Sequence, residues 1–268
     1  MKMIGAGLVV LAAATLTAVL PDPASADTWF RRGGRTVRGS GDIVEEKREV
    51  EDFNQINLDC SIDIHVKIGE PRSLTVIGDD NLLEYVVTEV AERGTLFVDL
   101  DRSISTRRGI HLEITIPNLE TLEIDGSGDV DIEGLHSERF RVDIDGSGDV
   151  DVRGTAKNVE IIIDGSGDVT FDELDAEFIE IDSDGSGDIK LSGKAQRVEF
   201  NTHGSGDVNA RRLTTIDAYV QTSGSGDVAV YASEKFEGRT QGSGDIDVFG
   251  DPKDFDRTEH GSGDIRRR

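Results

Sequence analysis

From residue 120 onward, apolar and polar positions alternate in short runs on either side of a recurring tetrapeptide, Gly-Ser-Gly-Asp. The tetrapeptide occurs nine times, ending at Asp42, Asp129, Asp149, Asp168, Asp188, Asp207, Asp227, Asp245 and Asp264, and the last eight copies lie 18 to 20 residues apart. Counted from each aspartate, the residue one place later is Val or Ile, as at Val130, Val150, Val169 and Ile189. The residue three places later is Ile132, Val152, Phe171 or Leu191 in the same repeats. Seven places before the aspartate stand Leu122, Val142, Ile161, Ile181, Phe200 and Val220, and nine places before stand Phe140, Val159, Ile179 and Val198. Apolar residues at odd offsets have a period of two, so each repeat is predicted to hold two short strands. Polar or glycine-containing turns such as Arg153-Gly154-Thr155 and Ser192-Gly193-Lys194 are predicted between them.

Two strands and two turns in about 20 residues make one rung of a β-solenoid, with equivalent positions stacked about 4.8 Å apart. A lone rung cannot bury its apolar stripe, and stacking buries a continuous one. An antiparallel meander with Gly-Ser-Gly-Asp hairpins is the competing arrangement, but it does not require every turn at one end to match. Five places before each aspartate the pattern changes from Ile124, Ile144 and Ile163 to Ser183, Thr202, Thr222 and Thr240. These share the parity of the buried face, so they read as a tapering core ahead of a threonine binding face.

The segment before the repeats is also predicted to be β. Candidate strands cover 55–69, 73–77, 85–91, 95–101, 110–117 and 120–124, with one or two helical turns over 81–85 and a turn at Arg93-Gly94. The expected organisation is an export signal over 1–26, a polar and basic linker over 27–39, and a β-rich part over 40–125 that caps or starts the solenoid. The repeat solenoid follows over 126–265, with a charged tail at 266–268. The export signal rests on Lys2, the apolar run over 4–20 and the small-residue site Ala24-Ser25-Ala26. It predicts a periplasmic, cell-surface or secreted protein with no stable membrane span after cleavage.

Composition narrows the function. The chain of 268 residues carries 54 acidic and 29 basic side chains, a net charge of -25. That excludes nucleic acid as a partner, because phosphate binding needs a basic surface. The single cysteine, Cys60, alternates in phase with Leu58 and Ile62 and is expected on the buried face of a strand, with no internal disulfide.

Stacking brings eight aspartates into one column. Like charges about 5 Å apart repel by about 0.8 kcal/mol in water and about 3 kcal/mol at an effective dielectric of 20. One relief is for each carboxylate to accept backbone N–H groups within its own turn, with the glycines supplying positive φ. The other is calcium, for which Asp125, Asp129, Asp145, Asp149, Asp164, Asp168, Asp184 and Asp188 are the candidate ligands. In later repeats the place before the first glycine holds His203, Ser223, Gln241 and His260, so a site in every rung is not expected. Catalysis needs one asymmetric constellation, and periodic carboxylates do not make one. No catalytic residue is predicted, and Trp29, the sole tryptophan, lies in the linker away from any sugar platform.

The run Phe53-Asn54-Gln55-Ile56 through Ile62-Asp63-Ile64, the stretch Thr95-Leu96-Phe97-Val98 and the Ile116-Pro117-Asn118-Leu119 lead into the repeats together resemble bacterial GIN-domain proteins, the auto-transporter adhesin heads. The resemblance covers roughly residues 40 to 265 and implies a right-handed, single-stranded β-helix with a role in adhesion. It supplies no catalytic residues. The function expected is an exported, non-enzymatic solenoid for adhesion, binding or envelope scaffolding, with a cell-surface glycan or protein as partner. A calcium-dependent structural or adhesive module is the alternative, followed by a polysaccharide-active β-helix enzyme.

Overall fold

The computed structural model describes residues 36–268 apart from Glu92. The expected signal and the linker up to residue 35, including Trp29, lie outside the described residues. The repeats form a β-solenoid. Val130–Ile144 pairs in parallel with Val150–Ile163, and the series continues through Val169–Ser183, Ile189–Thr202 and Val208–Thr222. Equivalent positions face each other, as in Val130↔Val150↔Val169↔Ile189. Parallel pairing rules out the meander, whose neighbouring strands would run in opposite directions. The side chains at the predicted inward offsets form the core: Val130, Ile132, Phe140, Val142 and Ile144 are all buried. Ser183, Thr202, Thr222 and Thr240 are buried too, so the hydroxyl gradient is a core taper. Phe200 and Phe236 take up the volume there, and Gly238 leaves room for the Phe236 ring, whose Cζ would lie 2.5 Å from an added Cβ.

The third side of each rung departs from the sequence reading. The segments read as turns are paired: Leu135, His136 and Ser137 align with Gly154, Thr155 and Ala156, and Leu174, Asp175 and Ala176 with Gly193, Lys194 and Ala195. Leu135, Ala156, Leu174, Ala176, Ala195 and Leu213 are buried there. Register shifts at Glu133/Leu135 and Phe171/Leu174 absorb the extra residue of the longer rungs. Each places one residue in the left-handed region, Gly134 at φ 75° and Glu173 at φ 65°. The bulge confines the length difference to this side and leaves the aspartate column in register.

The solenoid begins before the repeats, in an order that differs from chain order. Gln55–Leu58 lies between Thr95–Leu100 and Thr121–Ile124, and Asp63–Ile68 lies between His111–Ile116 and Val130–Ile144. The predicted strand 55–69 is therefore two strands joined by a corner at 59–62. That corner stacks under Gly126-Ser127-Gly128 as a degenerate copy, with Cys60 and Ile62 in the glycine places. No matching corner lies beneath it, because the chain leaves the stack after Leu100 and re-enters at His111, so side chains are tolerated. Cys60 is thus a half-buried corner residue, not a strand residue; burial first of all pushes its thiol up to about 11.

Both ends are closed. At the N-terminal end the pairing turns antiparallel: Ser73–Asp79 runs between His111–Ile116 and Ile43–Arg48, and Val86–Ala91 runs against Thr95–Leu100. The edge strand is charged (Glu45, Glu46, Lys47), which discourages further pairing. The expected helical turn is a 3-10 turn at Leu83–Tyr85, and the Arg48 guanidinium bonds the Leu83 and Val86 carbonyls. Val37–Arg38, assigned to the linker from sequence, pairs with Ile104–Ser105. At the C-terminal end Arg257 and Glu259 occupy the places that Gly238 and Thr240 hold one rung earlier, and they form an ion pair at 3.4 Å across the open core. Ile265–Arg267 is a strand, and Arg266 and Arg268 bind Asp245 and Asp247, so the tail is part of the last rung.

The glycines of the stacked corners are needed for close approach. A Cβ at Gly146 would lie 1.9 Å from the Gly126 carbonyl oxygen, and one at Gly167 would lie 2.1 Å from that of Gly148. Among the stacked copies only Gly261, in the last, has positive φ, which corrects the expectation of left-handed turns. Gly146→Ala is expected to destabilise the protein by about 3 kcal/mol or more, whereas Ser147→Ala at the exposed tip should change stability by less than about 0.5 kcal/mol. Urea unfolding followed by circular dichroism checks both.

Candidate functional site

Two features could carry function: the corner columns and a groove on the third side. In the corners, each aspartate carboxylate accepts the backbone N–H of the aspartate one rung on. Asp149, Asp168, Asp188, Asp207, Asp227, Asp245 and Asp264 donate in turn to Oδ1 of the aspartate before them, at 2.7 to 2.9 Å. The series starts at Asp63, which accepts from Asp129 at 3.1 Å. The relief is therefore between rungs, not within one turn. The first tetrapeptide is different: Gly41 donates to Asp79, Ser40 to Asp80 and Asn81, and Asp42 lies outside the column.

The calcium candidates are brought together as two neighbouring columns. Asp129, Asp149, Asp168 and Asp188 belong to the ladder, and each commits one oxygen to it. Asp125, Asp145, Asp164 and Asp184 form the second column, extended by Asp59 and Asp99, which the sequence reading missed. Burial, then Asp143, Asp164 and Asp125, pushes Asp145 above the usual carboxylate range. Burial, then Asp99 and Asp125, does the same to Asp59. His203 ends the second column 3.2 Å from Asp184. Among the described residues, no three His, Cys, Asp or Glu side chains converge as a ligand set.

The groove has a volume of about 880 Å³ and crosses six rungs, from Asn118 and Glu120 to Thr214 and Ile216. It is concave because its floor carries small residues, Ser137, Ala156, Ala176 and Ala195. The flanking positions point outward as two rows. One holds His136, Thr155, Asp175, Lys194 and Thr214, and the other Glu138, Lys157, Glu177, Gln196 and Ile216. Neighbouring rungs are tied along each row: His136 Nδ1 and Thr155 Oγ1 are 2.9 Å apart, Lys194 and Asp175 3.0 Å, Lys157 and Glu138 2.7 Å. The hydrogen bond to Glu138 holds the Lys157 ammonium above the usual lysine range. Beside the groove lies a shallower hollow that shares Glu177, Gln196 and Ile216 and adds Phe178 and Arg197. Arg197 packs over the Tyr219 ring at 4.3 Å and over Phe178 at 6.0 Å, and Lys235 covers Tyr219 at 4.8 Å. The sequence reading, which looked for aromatics only at Trp29, missed this platform and the whole groove. The one available signal was the recurrence of alanine seven or eight places after three successive aspartates, Asp149, Asp168 and Asp188, at Ala156, Ala176 and Ala195.

The chain belongs to the family described as "Putative auto-transporter adhesin, head GIN domain", whose sequence model matches residues 52–170 and again 150–252. A "putative adhesin" from Bacteroides fragilis is 25% identical, with a TM-score of 0.68 over 87% of this chain and 100% of that one. A "putative adhesin" from Parabacteroides merdae superposes with a TM-score of 0.82 over 88% of this chain and 100% of that one. At 18% identity it shows the fold alone. A "Putative lipid binding protein" from Parabacteroides distasonis is 26% identical, with a TM-score of 0.79 over 87% of this chain and 100% of that one. No curated protein matches the chain. Family membership supports, at a coarse level, a role in adhesion or binding.

Two outcomes follow from the columns. Asp168→Ala removes the acceptor of the Asp188 N–H and should cost about 1–2 kcal/mol; Asp168→Asn keeps an acceptor oxygen and should cost less, by urea unfolding. Asp145→Asn should raise the urea midpoint at pH 7. The folded pKa of Asp145 is raised, so its ionised form opposes folding at neutral pH. The gain should shrink as pH falls through that raised pKa and vanish once the unfolded carboxyl, near 3.9, is protonated too.

Proposed function

We propose that this GIN-domain chain is an exported, non-enzymatic adhesin head that holds an extended cell-surface polymer in the groove along its third side. The groove is the observation that carries the reading. It runs straight along the solenoid, open to solvent, with polar rows on both flanks and a floor of small residues. A long, thin ligand lying along the axis meets equivalent contacts at each rung, and many weak contacts in series suit adhesion.

The carboxylates of the groove support binding ahead of catalysis. Asp175 and Glu138 are tied to lysines, and Glu120 and Glu177 stand on different rungs. A lipid, the ligand in the description of one relative, would call for an enclosed apolar cavity. This groove is open and flanked by ion pairs. The reading does not require calcium, because the ladder already gives each of its carboxylates a donor.

The test is an array of cell-surface glycans and proteins probed with the purified protein and with two variants. Lys157→Ala combined with Lys194→Ala removes donors from both groove rows and should weaken binding by tenfold or more, the equivalent of about 1.4 kcal/mol. Asp151→Ala, outside the groove lining, should leave it unchanged. Binding that survives the double lysine variant would refute the groove as the adhesive site.

A further inference from the structure

Resting on that groove reading, we infer that the ligand is an uncharged, extended glycan, selected over acidic glycans and over peptides. Charge balance is the first argument. The chain as a whole carries a net charge of -25. The groove lining does not share that excess: Glu120, Glu138, Asp175 and Glu177 face Arg139, Lys157 and Lys194. Both lysines are already held by carboxylates, at 2.7 and 3.0 Å. A chain of uronates or sulfated sugars would have to displace those pairs while entering the field of a strongly acidic molecule. A polycation would be drawn to the aspartate columns in preference to the groove. A neutral polymer meets neither obstacle.

The backbone supplies the second argument. Extended peptides commonly bind by adding a strand to an open sheet edge. Along the groove floor the main chain is paired at Ser137 with Ala156 and at Ala176 with Ala195, and the one interruption, between Ala156 and Ala176, lies inside the stack with rungs on both sides. It presents no free edge, so recognition falls to side chains. Those side chains come as tied donor–acceptor pairs, His136 with Thr155 and Asp175 with Lys194. Such pairs can offer a donor and an acceptor together to the vicinal hydroxyls of a sugar. The alanine floor accommodates the C–H faces of the rings, and Phe178 and Ile216 extend that apolar surface on one flank.

Length is the third consequence. Six rungs at about 4.8 Å per step extend over roughly 24 Å. Affinity should therefore grow with oligosaccharide length and level off once the chain spans that distance.

The experiment titrates the purified protein with cellohexaose, mannohexaose, xylohexaose, the corresponding disaccharides and hexagalacturonate, by calorimetry in buffered physiological salt. The expected result is that at least one neutral hexaose binds more than tenfold tighter than hexagalacturonate and than its own disaccharide. Glu177→Lys should narrow the preference at least fivefold by adding a free cation to the lining. Tighter binding of hexagalacturonate, abolished in the Lys157→Ala/Lys194→Ala variant, would overturn the selectivity while leaving the groove as the site. Oligosaccharide binding that persists in the double variant would overturn the groove itself. Absence of binding by all three neutral hexaoses would also overturn the inference.

Discussion

The hydrogen bond from each corner aspartate N–H to the carboxylate one rung before it is the contact on which the solenoid depends. A regular parallel ladder satisfies backbone donors with carbonyls of the neighbouring strand. At a sharp corner the chain turns away, and one donor per rung would be left over. The side chain of Asp129, Asp149, Asp168 and their successors fills that place with an acceptor at hydrogen-bond distance. Each such bond ties one rung to the next, and the same residue recurs in every rung. The two glycines follow from the same stacking. Their missing side chains let successive corners lie close enough for the ladder to form.

This arrangement concentrates negative charge, and the rest of the molecule bears its marks. The second acidic column includes carboxyls whose affinity for protons is raised by burial and by each other, at Asp59 and Asp145. Nitrogen groups stand at the ends: the His203 ring closes the second column, and Arg266 binds both Asp245 and Asp264 at the last corners. Termination is handled separately at each end. Antiparallel strands stop the parallel series at the front, and the Arg257–Glu259 pair lies across the core at the back. Inward-pointing charge at a terminal rung blocks end-to-end growth of the stack.

The groove arises where the ladder's strict spacing is relaxed. Rungs of different length are reconciled by bulges near Gly134 and Glu173, on the side away from the aspartates. That side is free to vary, and it is where the surface becomes concave and its charges balance. One side of the solenoid is thus committed to holding the stack together. Another is left to vary and carries the recognition we propose, as in other repeat proteins whose variable positions lie along one surface.

The repeat, the inward alternation at Val130, Ile132, Val142 and Ile144, and the parallel stack were legible in the sequence, because period two and a constant interval are local properties of the chain. So were the family and the β character of the front segment. The third paired side was not, since the one-residue bulge breaks the alternation just where Leu135, Ala156 and Leu174 turn inward. Nor was the corner at Asp59–Asp63 recognisable: glycine is demanded only by a corner lying beneath, and none lies beneath Cys60 and Ile62. The opposite failure occurs at Asp42, where the same four residues meet Asp79, Asp80 and Asn81 in place of a stacked neighbour and take another role. The sequence by itself determined that rungs form and which residues face inward. Only the tertiary structure decided the order of the front strands, because Gln55–Leu58 stacks on strands that begin at Thr95 and Thr121, far from it in the chain. Register shifts between neighbouring rungs, which the alternation does not reveal, align the side chains of six rungs into a groove.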